Sequence, residues 1–197
     1  MRTFNGQLFF EIPPSKDIKY TFFDKYKMIG DSYNKRDAYS FYYGQLQLGL
    51  EFDQVNNRER LKLFNFFNNI KGRKENFYIR TYSCILEVLE PVSSDGTVIK
   101  VKNTDLEYHY YSISSSLYIF RDDFTDLPKV VVAEKDVNDF TIEYLILDKP
   151  AGVPIPIGAK LEFVFDVRMV EDSLSFKLVQ KGYTTVSFSV ITAKLGE

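Results

Sequence analysis

Between Lys160 and Val170 the sequence alternates with a period of two: Leu161, Phe163, Phe165, Val167 and Met169 fall on one side, and Lys160, Glu162, Asp166 and Arg168 on the other. A helix would scatter these residues around its axis, whereas a strand sorts them into one buried face and one wet face. A strand this regular must belong to a sheet with something to pack against, and neighbouring segments supply candidates. Tyr39 to Phe52 alternates through Leu46, Leu48 and Leu50, and Phe77 to Tyr82 alternates as well. Tyr20 to Phe23, Tyr108 to Phe120, Lys129 to Ala133, Phe140 to Leu147, Ser175 to Gln180 and Thr184 to Ala193 are bounded by polar, Pro or Gly punctuation. The 18 Phe and 14 Tyr, with no Trp, reinforce this, because aromatic side chains favour pleated, half-buried surfaces.

One segment breaks the pattern. From about Asn57 to Lys71 the apolar residues Leu61, Leu63, Phe64, Phe66, Phe67 and Ile70 recur at helical spacing; Asn56 can cap the start with Glu59 three residues on, and Gly72 marks the stop. The expected fold is therefore mainly β with one α-helix packed on the sheet, an antiparallel β-sandwich or barrel. Ser93-Ser94-Asp95-Gly96 predicts a hairpin between Cys84–Leu89 and Thr97–Lys102. No repeat, linker or shift of composition divides residues 1–197, so one domain is expected, with a possible β subdomain inserted at about 84–156.

Chemistry-bearing motifs are scarce. The lone His109 excludes a multi-histidine metal site, and neither a nucleophile elbow nor a glycine-rich phosphate loop is present, so no catalytic residue, cofactor or metal is assigned. Asp122, Asp123 and Asp126, and Glu134, Asp136 and Asp139, could supply oxygen ligands or an acid/base pair, but loop carboxylates are commonly just solvated. Cys84 stands alone, which rules out an intrachain disulfide and suits a reducing compartment. The formal charge of −2, with Lys and Arg scattered, lacks the footprint of a nucleic-acid surface. No run approaches the roughly 18 apolar residues of a membrane span, and the N-terminus does not read as a signal peptide. Two tyrosine patches, Tyr39, Tyr42 and Tyr43 and then Tyr108, Tyr110 and Tyr111, suit burial at a protein interface or stacking on sugars, and packing is the favoured use.

The order of parts carries a resemblance. Arg36-Asp37-Ala38-Tyr39-Ser40-Phe41-Tyr42-Tyr43 leads into a strand, then a helix ending Phe66-Phe67-Asn68-Asn69-Ile70-Lys71-Gly72-Arg73, then Phe77-Tyr78-Ile79-Arg80. Asp139-Phe140-Thr141-Ile142, Lys149-Pro150-Ala151-Gly152 and Phe163-Val164-Phe165-Asp166-Val167-Arg168-Met169 follow. This succession resembles the distal tail (minor tail, tail-tip) proteins of long-tailed bacteriophages and gene transfer agents, across about residues 36 to 193. The resemblance implies a tail-tube-like fold in which Gly72, Arg73, Phe77, Arg80, Asp166 and Arg168 are structural signature positions. It also implies a non-enzymatic virion protein, assembled in the host cytoplasm as a homo-oligomeric, usually hexameric, ring. Its partners would be copies of itself, the tail tube protein, and the baseplate hub with other tail-tip proteins. Acidic side chains would line the bore and aromatic clusters would seal neighbours. The alternative is a carbohydrate-binding β-sandwich module for attachment to the host surface.

Overall fold

The computed structural model describes residues 2–15, 19–23, 45–71, 74–80, 82, 86–102 and 117–192. Among them the chain is mainly β with a single helix. The elements are β1 (Thr3–Phe4), β2 (Gln7–Phe10), β3 (Lys19–Phe23), β4 (Gln45–Val55), α1 (Asn57–Asn69), β5 (Phe77–Arg80), β6 (Leu86–Glu87), β7 (Val98–Lys102), β8 (Leu117–Phe120), β9 (Val130–Lys135), β10 (Ile142–Leu147), β11 (Lys160–Met169), β12 (Ser175–Gln180) and β13 (Tyr183–Thr192). The sheets do not close into a barrel, so of the two architectures expected the open sandwich is the one formed.

The alternating strand is the hub. A large sheet runs β1-β2-β5-β11-β13-β4-β3, and β6, β8 and β12 attach to it from the side. Val164 and Phe165 of β11 pair with β5 and with β8, and Val167 pairs with β5 and with β13. Leu161, Phe163, Phe165, Val167 and Met169 enter one large core, joined by Phe10, Leu48, Leu50, Phe52, Phe77 and Ile79 from the adjoining strands. All pairings are antiparallel except β2 with β5, which is parallel.

The second face of β11 is not wet. Glu162 is 7 % exposed and Val164 is fully buried, while only the end residues Lys160 and Arg168 reach solvent freely. A smaller cluster of Phe4, Phe9, Tyr78, Phe120, Leu127 and Val164 covers this face. Tyr78 lies in it while its neighbours Phe77 and Ile79 lie in the main core, so β5 too is covered on both faces. The cover comes from the β1–β2 hairpin, whose two-residue turn is Asn5-Gly6 with φ of 48° and 80°. An Asn-Gly pair takes up these left-handed angles more readily than other residues, and the resulting twist matches the strands.

The helix starts as its sequence dictates. Asn56 accepts hydrogen bonds from the Arg58 and Glu59 amides through its side chain, and its own amide donates to the Glu59 carboxylate. This box satisfies N–H groups that have no partner within the helix. Leu63, Phe66 and Ile70 are buried, with Phe66 edge-on to Phe10 and Phe77 at 4.8 and 5.0 Å. The apolar stripe is nonetheless narrower than its sequence suggests, because Leu61 and Phe64 are 59 % and 48 % exposed. The helix ends at Asn69, and it is Lys71 that adopts the left-handed angle, at φ 53°.

The expected hairpin around Asp95-Gly96 forms only as a turn. The Gly96 amide donates to the Ser93 carbonyl at 3.0 Å, but β6 pairs with β11 whereas β7 joins a separate sheet of order β7-β10-β9. Among the described residues the two arms are linked by the Val88–Val101 bridge, the bond from the Leu89 amide to the Lys100 carbonyl and the Lys100–Glu90 ion pair. The small sheet packs into the same main core through Ile99, Val101, Val130, Ala133, Leu145 and Leu147.

Candidate functional site

The polar residues concentrated on the covered face of β11 are the first candidate. Arg80 on β5 grips Glu162 with two bonds, Nε to Oε2 at 3.0 Å and Nη2 to Oε1 at 2.7 Å. Its guanidinium lies over the Phe120 ring at 4.7 Å and the Tyr82 ring at 5.3 Å. Planar charge, fork geometry and two aromatic faces make this an arginine-specific nest. The hydrogen bond to Glu162 raises the Arg80 pKa further, against the opposing pull of burial.

One step along β11, Asp166 sits opposite Tyr78 in the register. Burial lifts its carboxyl to about 6, and a hydrogen bond from Gln7 together with the charge of Lys129 lowers it only partly. Among the described residues, Asp166 Oδ1 and Gln7 Oε1 are buried acceptors without a hydrogen-bond partner. Beside them Tyr78 and Tyr118 meet edge-on at 4.9 Å, and burial is the largest cause that drives both phenols above their ordinary value. Asn5 donates to the Tyr78 hydroxyl at 3.3 Å and to the Leu127 carbonyl at 3.2 Å. Lys149 in turn bonds Asn5 Oδ1 at 3.2 Å and pairs with Asp126. The Asn5-Gly6 turn therefore locks the cover in place with its own side chain. Asn-Gly was the signal in the sequence that could have identified this role, and the aromatic spacing of Phe4, Leu8, Phe9 and Phe10 hid it.

This arrangement is filled rather than open. Phe4, Phe9 and Phe120 pack within 6.0 Å of one another over the strand, and Asp166 beside them is half-buried. A shallow surface depression of about 410 Å3 is lined by Gly6, Gln7, Leu8, Lys74, Glu75 and Asn76, and it includes neither Asp166 nor the two tyrosines.

Of the signature positions, Phe77 is a core residue, Arg80 and Asp166 share the covered face but bond to different partners, and Arg168 is exposed. Gly72, Arg73, Tyr39, Tyr42, Tyr43, Tyr108, Tyr110 and Tyr111 lie outside the described residues, as do Cys84 and His109.

Both carboxylate sets are tied into loops. Asp123 pairs with Arg121 through both oxygens, and Asp122 approaches Arg2 at 3.8 Å. Asp136 accepts from the Asn138 and Asp139 amides and from the Tyr144 hydroxyl, and Asp139 accepts from Thr141. These bonds hold Asp123, Asp136 and Asp139 below the usual carboxylate range. Among the described residues no three His, Cys, Asp or Glu side chains gather as a metal-binding group, and no helix is long and apolar enough to cross a membrane.

The surface offers a second kind of candidate. Leu178 and Val179 on β12 are 69 % and 58 % exposed, and alternation along a strand puts them on opposite faces. Among the described residues β12 pairs with β13 alone, along one of its two edges. Tyr183, just after the Lys181-Gly182 turn, extends this apolar tip. Compared with known proteins, the sequence matches no family model and no curated protein.

Proposed function

We propose that this chain is a structural protein of a bacteriophage tail tip, forming a ring that connects the tail tube to the baseplate hub. The reading is carried by one observation: β12 bears exposed apolar side chains on both faces and, among the described residues, pairs along one edge alone. An apolar edge invites pairing with another chain, and a protein that stays monomeric usually blunts it with charge, Pro or a bulge. On β12 Lys177 is the one charge and the register against β13 shifts between Leu178 and Gln180, yet Leu178 and Val179 stay exposed. The order of motifs from Arg36 to Met169 points the same way. A large sheet covered on both faces of its central strand suits a scaffold.

Light scattering after size-exclusion chromatography, with negative-stain microscopy of the same fractions, tests the reading. Rings, or a mass that grows with concentration toward a closed oligomer, are expected. A monomer at every concentration that binds glycans would replace it with the carbohydrate-binding reading.

A further inference from the structure

Of the exposed apolar residues outside that edge, those on α1 and those in the β9–β10 loop lie among charges of opposite sign. On α1 the helical repeat lines up Asn57, Leu61, Phe64 and Asn68 as one outward ridge, directly away from the buried Leu63, Phe66 and Ile70. Arg58 and Lys62 flank this ridge on one side and Arg60 on the other, and none of the three has an ion pair among the described residues. The nearby Glu59 is committed to the helix cap. Exposed apolar residues flanked by cations mark a surface that ordinary solubility does not call for.

The β9–β10 loop presents the complement. Val137 and Phe140 are 83 % and 72 % exposed, the two highest values among the large apolar residues of the described chain. Around them lie Glu134, Asp136 and Asp139, while Lys135 faces the buried Glu143 in the strand register. The loop is built in advance: Asp136 and Asp139 clamp the Asn138, Asp139 and Thr141 amides, and the Asp136 amide closes onto the Ile142 carbonyl at 3.0 Å. An apolar knob held rigidly loses little entropy on docking.

We infer that the Leu61–Phe64 ridge of α1 is the docking surface for the Val137–Phe140 loop of a second copy of this chain. Opposite charge around matching apolar centres makes the two surfaces complementary to each other and repels each from itself. The patches differ, so the contact is head-to-tail, the kind that closes a ring when the rotation between copies allows it. The inference rests on the ring-forming reading and names one of the contacts such a ring would use.

Sedimentation velocity of the full chain tests it, with Leu61→Asp and Val137→Asp as separate variants. Both sites are exposed, and unchanged circular dichroism and melting verify the fold. Each variant should weaken self-association about tenfold or more. Mixed together they should regain association that neither shows alone, because each supplies the surface the other lacks. Arg58→Glu, Arg60→Glu and Lys62→Glu combined should weaken assembly and flatten its salt dependence, which provides a second route should Leu61→Asp fail to fold. Variants that assemble as well as the parent chain, or a mixture no larger than either alone, would overturn the surface while leaving the ring reading intact. A parent chain that is monomeric throughout would remove both.

Discussion

The two faces of β11 are built differently. One enters a core made only of hydrocarbon and aromatic side chains, where Phe163, Phe165 and Val167 meet Phe77 and Ile79. The other is covered by a smaller aromatic cluster interleaved with polar pairs: Arg80 with Glu162, Asp166 with Gln7, Tyr78 with Tyr118. Apolar burial is non-directional and rewards any close packing. Charged and hydrogen-bonded groups under cover must meet their own partners or cost free energy, so they fix which hairpin lies where. The first face supplies stability and the second supplies register.

That contrast can be broken by experiment, beginning with the largest expected effect. Phe163→Ala should lower unfolding free energy by about 3–5 kcal/mol, measured by chemical denaturation, because a fully buried ring leaves a cavity. Arg80→Ala should cost about 3 kcal/mol by stranding Glu162, whose side chain is 9 % exposed. Replacing the pair together, Arg80→Met with Glu162→Leu, should recover most of that loss. A double variant as unstable as the single one would mean that the pair itself, rather than the stranded charge, holds the face together.

Asp166→Asn should act with the opposite sign and a pH dependence. Burial raises the Asp166 carboxyl from 3.8 to about 6, so the folded chain binds the proton more tightly than the unfolded chain. Stability linked to this group is greatest below about pH 4, falls as pH rises to about 6, and stays low above that. With allowance for partial solvent screening, the variant should gain about 1 kcal/mol at pH 7.5 and nothing near pH 3.5 in parallel thermal melts. An equal gain at both values would show that charge is not the cause. Leu61→Ala is the smallest expected change, within about 0.5 kcal/mol, against about 2–5 kcal/mol for Leu63→Ala two residues away on the buried side of the helix.

Local signals in the sequence were read well where the outcome is local. The Asn56–Glu59 capping box and the strand over Lys160–Met169 depend on residues a few positions apart, and both form as expected. The wet face assigned to Glu162 and Asp166 was wrong because its cover comes from Phe4 and Phe9, more than a hundred residues upstream, and no pattern within β11 encodes their arrival. The Asp95-Gly96 turn was legible, but a turn does not fix what the flanking strands pair with, and β11 won β6 away from β7. On the helix, periodicity marked Leu61 and Phe64 as apolar, yet it could not tell a core-facing residue from an outward one at the margin of a wide stripe. Arg80 and Asp166 were singled out by resemblance alone, and neither position gave notice that each would find its partner on another strand.

The position of β11 along the chain sets a timetable for the molecule's birth. Phe77 and Arg80 cannot find their partners until Val167 and Val164 have been synthesised, which at typical ribosomal speeds is on the order of 10 s later. During that interval β2, β4 and β5 have no central strand to close upon, and their aromatic residues are open to chaperones or to mispairing with other nascent chains. Such distant pairing also slows the final closure. A cell making many copies at once therefore meets its greatest hazard before the first complete sheet exists.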